Sequence, residues 1–129
     1  PFQAKAFATT ISPWVVTQAA LEPFRSAGAA RVNPLLPYLQ ETRPGFYDLN
    51  LSWSLNGEVL SRTNYNVMYY SSAQQLAHHS SSGCPMRVGD LLGSGTISGV
   101  TPDSTGALLE MTQIGKQCHH GCAAHGDTQ

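Results

Sequence analysis

The sequence predicts a mainly β domain with one main helix, and three observations point there. Between Asp48 and Ser61, Leu49, Leu51, Trp53 and Leu55 alternate with Asp48, Asn50, Ser52 and Ser54. Asn56-Gly57 then supplies the two positive-φ positions of a tight hairpin turn, so this stretch reads as an antiparallel hairpin with one buried face. Other short apolar runs read as further strands, and only Asn64 to His79 carries helix signals over several turns.

In chain order, Phe7 to Val16 is rich in Thr, Ile, Trp and Val and reads as a strand that Pro13 restricts to an edge or a bend. Thr17 is placed to cap a short helix over Gln18 to Leu21, stopped by Pro23. Ser26 to Tyr38, with Gly28, Pro34 and Pro37, has little periodicity and reads as a surface loop. After the hairpin, Asn64 can cap the main helix, Met68, Ser72, Gln75 and His79 lie along one side, and Gly83 can end it. Arg87 to Asp90 then reads as a turn into a strand from Leu91, and Ala107 to Met111 as another strand. Residues 1–112 form the domain in this reading. Residues 113–129 form a divergent tail, with three of the five histidines, two of the three cysteines and no Leu, Val, Phe, Tyr or Trp.

The chain has 129 residues, of which 41% are hydrophobic, enough for the core of one domain. Only 12% are charged, well below the usual quarter, which implies that part of the surface is normally covered. The net charge is -1 and the five arginines are scattered, so no basic stripe exists to capture nucleic acid. No apolar run is long enough to span a membrane, and no charged-then-apolar signal segment opens the chain. Three cysteines, Cys84, Cys118 and Cys122, make no disulfide framework, so a soluble, cytoplasmic protein is expected.

Two segments carry chemistry. Lys5-Ala6-Phe7-Ala8-Thr9-Thr10-Ile11-Ser12-Pro13-Trp14 sets a lysine and a cluster of hydroxyls beside an expected strand, which suits a polar pocket. In Gly89-Asp90-Leu91-Leu92-Gly93-Ser94-Gly95-Thr96-Ile97-Ser98-Gly99, glycines around Ser94, Thr96 and Ser98 let the backbone approach a ligand closely. With Ala20-Leu21-Glu22-Pro23-Phe24, Leu36-Pro37-Tyr38-Leu39, Asp48-Leu49-Asn50-Leu51 and Gln74-Gln75-Leu76-Ala77-His78-His79 between them, these segments resemble the fumarylacetoacetase family in order, from Phe2 to about Met111. The resemblance implies the family's mainly β, sandwich-like roll, represented by part of its strands. It also implies hydrolysis of fumarylacetoacetate to fumarate and acetoacetate, the last step of tyrosine and phenylalanine breakdown, by a cytoplasmic homodimer acting on a small-molecule substrate. The start at Pro1, inside one of these motifs, reads as that of a fragment, inactive alone.

Lys5, taken by itself, is a basic side chain free to keep its head in water. The resemblance places it in the active site, where an ammonium stabilises charge on a carbonyl oxygen or enolate, and places Lys5 and Thr9 at a second metal position, occupied by magnesium. Thr96, otherwise an ordinary strand threonine, matches a residue whose hydroxyl meets a substrate carboxylate. Glu110 follows Leu108-Leu109 on an expected strand, where burial would raise its pKa or demand a partner. The resemblance makes it the residue that orients a histidine base for the attacking water. The family's calcium ligands, its histidine base and an arginine match nothing in this sequence, so the main carboxylate ligands of Ca2+ are expected elsewhere. A wider choice within the family includes acylpyruvate hydrolases.

His78 and His79, adjacent on a helix and therefore about 100° apart, are read as structural. Cys118, His119, His120, Cys122 and His125 offer thiolate and imidazole groups but not the spacing of a closed zinc site. They leave open a non-enzymatic metal-binding or interaction module as the rival reading.

Overall fold

The computed structural model describes residues 7–114. Strands are gathered in two small antiparallel sheets. In the first, β1 (Arg25–Ser26) pairs with β2 (Phe46–Tyr47), and in the second, β3 (Asn50–Leu55) pairs with β4 (Glu58–Asn64). Among the described residues three α-helices accompany them, α1 (Gln18–Leu21), α2 (Ser72–Ser81) and α3 (Leu108–Met111), and α2 is the one longer than a single turn. The mainly β class with one main helix is met at this level, although two two-stranded sheets do not by themselves make a sandwich.

The β3–β4 hairpin forms as its pattern predicts. Asn56 and Gly57 turn with φ of 51° and 86°, and Leu51, Trp53 and Leu55 are half-buried while their neighbours are exposed. One feature departs from strict alternation. Trp53 faces Ser61 but Ser54 faces Val59, so Leu60 is an extra residue on β4. That bulge lets Leu60 and Ser61, consecutive in sequence, both be buried.

Among the described residues the buried apolar side chains are Leu39, Phe46, Tyr47 and Leu60, a small core sustained by polar ties. Arg25 holds Glu22 through two nitrogens at 2.5 and 2.9 Å, donates to the Pro44 carbonyl and the Tyr47 hydroxyl, and lies 5.0 Å from the Tyr47 ring. Arg31 sits among Phe46, Tyr69 and Tyr70 and donates to the Tyr69 carbonyl and to Gln74 Oε1. Gln74 is buried on α2 and also donates to the Leu39 carbonyl at 3.0 Å. Gly28, with φ of 71°, packs against the Phe46 ring where a Cβ would come within 2.6 Å.

Thr17 caps α1 as expected, and Gly83, with φ of 82°, follows the end of α2. Other expectations are corrected. The main helix starts at Ser72, not after Asn64. Ser71 and Gln74 form a reciprocal capping box, while Asn64 closes β4 and caps a 3-10 turn over Tyr65–Val67. Phe7 to Val16 is not a strand: among the described residues it finds no ladder partner, and Trp14 and Val15 stand 83% and 90% exposed. The segment from Leu91 is irregular for the same reason, after the expected turn at Arg87–Asp90. Ala107 to Met111 is not a strand either. Leu, Glu and Met favour a helix, and α3 closes with the Thr112 amide donating to the Leu108 carbonyl.

Candidate active site

The site grows from the hairpin's half-buried face. The Trp53 indole N–H donates to the Thr105 carbonyl at 2.8 Å, and Ser61, directly opposite, donates to the same oxygen at 2.7 Å. These bonds lay the Thr96–Gly106 segment against the strands. A 3-10 turn over Pro102–Ser104 shapes it, with Thr101 and Ser104 capping each other and the Gly99 amide donating to the Ser104 carbonyl at 2.8 Å. Gly99 and Gly106 are glycines because of this folding back. A Cβ on Gly99 would lie 2.6 Å from Ser104 Oγ, and one on Gly106 would lie 2.7 to 2.9 Å from the Ile97 backbone. The close approach expected of a ligand at Gly99 is therefore made by the protein itself.

Gly106 links two candidates. It lines a cavity of about 300 Å³ with Leu51, Trp53, Thr63, Thr96 and Ile97. Its amide also donates to Glu110 Oε2 at 3.0 Å and to Ser98 Oγ at 2.9 Å, and the Ser98 hydroxyl donates to the same Glu110 oxygen at 2.6 Å. Glu110 is exposed at the first turn of α3, not buried on a strand. Its hydrogen bonds among the described residues come from a hydroxyl and an amide, and no described imidazole contributes one. The cavity is thus lined by Leu51, Trp53 and Ile97 on its apolar side and by Thr96, with a carboxylate bound to the Gly106 amide through one of its oxygens. Thr63 Oγ1, buried on the same wall, has no hydrogen-bond partner among the described residues.

The structure therefore brings Thr96 and Glu110 into one neighbourhood. Thr9 is exposed in the irregular segment before α1, and Lys5 lies outside the described residues. The sequence names Ser98 among the hydroxyls of the glycine-rich segment without giving it a role of its own, and it marks neither Gly106 nor the Trp53, Ser61 and Thr105 scaffold as part of a site. The signal available was Ser98 beside Thr96, but nothing local tells which group that hydroxyl meets.

His78 and Tyr38 meet on another face. The His78 Nδ1 is 3.0 Å from the Tyr38 hydroxyl and the two rings stack with centroids 6.4 Å apart. They border a cavity of about 320 Å³ that shares no lining residue with the Thr96 cavity. Neither cavity is lined by a carboxylate, but Gly106 ties the smaller one to Glu110. Cys84 is free and exposed, whereas Cys118, Cys122 and the histidines between and after them lie outside the described residues.

Among the described residues no three His, Cys, Asp or Glu side chains gather into a metal-holding group. A calcium ion takes six to eight oxygen ligands, so the described residues do not fit a calcium cage. No helix among the described residues is long and apolar enough to cross a membrane.

Residues 1–128 match the family described as Fumarylacetoacetate (FAA) hydrolase C-terminal, a span that continues past Thr112. The chain is 47% identical over 123 residues to the fumarylacetoacetase of Arabidopsis thaliana and 49% identical over 121 residues to that of Mus musculus. It is 52% identical over 120 residues to a fumarylacetoacetase of Aspergillus fumigatus. These alignments cover 91%, 89% and 87% of this chain but 29%, 29% and 28% of the relatives. The chain spans under a third of the length of the curated relatives it matches.

Proposed function

The chain belongs to the fumarylacetoacetate hydrolase family, in the part corresponding to its C-terminal domain, and from that premise we propose that it serves hydrolysis of fumarylacetoacetate. The reading is supported above all by an identity of about one residue in two, to relatives of a single name, along nearly the whole chain. The meeting of Thr96 and Glu110 around Gly106 agrees with it.

In this reaction a water oxygen bonds to the carbonyl carbon beside the alkene, and the bond from that carbon to the neighbouring methylene breaks. Its electron pair leaves as the acetoacetate enolate, which takes up a proton, and the former carbonyl becomes the new carboxylate of fumarate. One water is consumed and nothing is oxidised. In this reading the Thr96 hydroxyl binds a substrate carboxylate, Glu110 orients the imidazole that takes the water's proton, and the Lys5 ammonium stabilises the enolate. Thr9 and Lys5 at a magnesium position, a calcium ion held by ligands other than the described residues, a cytoplasmic homodimer and the full sandwich-like roll belong to the same proposal, and no step here is drawn through a metal.

The test is turnover of fumarylacetoacetate, and of an acylpyruvate in parallel, by the product of the complete reading frame that carries these residues. Consumption of fumarylacetoacetate, lowered about 10²–10³-fold by Lys5→Met, is the expected result. Turnover of the acylpyruvate alone would move the protein to another activity within the family. No turnover of either would favour a binding module.

A further inference from the structure

We infer that Ser98 is a positioning residue for Glu110, an inference that rests on the reading of Glu110 given above. Ser98 has one hydroxyl proton, and with Oγ 2.6 Å from Glu110 Oε2 that proton is donated to the carboxylate. The hydroxyl oxygen in turn accepts from the Gly106 amide at 2.9 Å, and the same amide reaches Glu110 Oε2 at 3.0 Å. Three groups form a closed triangle around one carboxylate oxygen. Two donors on Oε2 fix the rotation of the carboxylate and leave Oε1 with no hydrogen bond among the described residues, available to an imidazole N–H.

The triangle is held from outside as well. Gly106 is pressed against the Ile97 backbone and follows Thr105, whose carbonyl is gripped by Trp53 and Ser61. The amide donor therefore has a fixed position relative to the cavity that Thr96 lines. Glu110, by contrast, is exposed on a one-turn helix, and a glutamate there has several free torsions. Ser98 is the only side chain among the described residues that hydrogen-bonds it. A loose carboxylate would still be present but would orient its partner poorly, and small misplacements of this kind lower turnover.

The test compares Glu110→Gln, Ser98→Ala and Ser98→Thr in the product of the complete reading frame, reading kcat, KM and the thermal midpoint. Ser98→Ala should lower kcat about 10–100-fold, the range seen when a group supporting a functional ligand is lost, with KM changed by less than about two-fold. Ser98→Thr, which keeps the hydroxyl, should restore most of kcat. A merely structural serine would move the thermal midpoint without this split. If Glu110→Gln leaves kcat unchanged, the reading of Glu110 fails and this inference with it. If Glu110→Gln abolishes turnover while Ser98→Ala keeps the parent kcat, this inference alone is overturned. Should Ser98→Ala not fold, Ser98→Cys is read by the same criteria.

Discussion

Trp53 and Ser61, directly opposed across the hairpin, donate to one carbonyl oxygen, that of Thr105. Each bond replaces one to water, so a single loss should cost about 1 kcal/mol, whereas losing both orphans a carbonyl and should cost more than the sum. Trp53→Phe and Ser61→Ala, singly and together, should show this coupling in urea unfolding. Additivity within error would mean that Thr105 finds water as a substitute.

The glycine at 106 is a packing requirement with a functional consequence. Gly106→Ala would place a methyl within 2.7 Å of the Ile97 amide, and overpacking of this kind costs about 1–3 kcal/mol. The displacement would also pull the Gly106 amide from Ser98 and Glu110. The expected outcome is a lower unfolding midpoint together with lower turnover, read on the same preparation. Parent-like values of both would show that the Thr96–Gly106 segment gives way freely.

What the sequence made legible was what is encoded locally. The hairpin was written in the alternation from Leu49 to Leu55 and in Asn56-Gly57, the α1 cap in Thr17 and the end of α2 in Gly83. Asn64 and Ser71 are both good caps, so composition alone does not place the start of α2. The choice falls to the reciprocal bond that only Ser71 has with Gln74. Phe7 to Val16 and Leu91 onward have strand composition, but a strand is a property of two segments and the described chain offers them no second. Thr96 and Glu110 were reached through family resemblance, while Ser98 and Gly106 depend on contacts across eight residues that no local pattern marks.

Acid should weaken the tie between Glu22 and Arg25. Hydrogen bonds from Arg25, with the charges of Arg25 and Arg43, hold the Glu22 carboxyl below its ordinary value. A carboxylate depressed in the folded state contributes stability that is present above its ordinary pKa and lost as pH falls through the lower folded one. The pair is partly exposed, so salt should screen it. Arg25 is shifted upward, far above any working pH, and adds no titration there. Glu22→Gln should therefore lower the midpoint at neutral pH and leave it unchanged below the carboxylate range, measured by thermal unfolding from pH 7 downward. A constant difference at all pH values would assign the loss to packing.

The chain by itself should associate. Phe7, Trp14, Val15 and Val16 are exposed before α1, and Val59, Leu91 and Leu92 are exposed further along. The sheets are two-stranded, so among the described residues both β3 and β4 keep an edge with unpaired amides and carbonyls. With 12% charged residues and a net charge of -1, little repulsion opposes contact between copies. Size-exclusion chromatography with light scattering on the 129-residue chain should show species larger than a monomer, increasing with concentration and reduced by Trp14→Ser with Val15→Ser. A monomer at all concentrations with one cooperative thermal transition would show instead that this apolar surface is tolerated in water and that the small core around Phe46 and Tyr47 suffices.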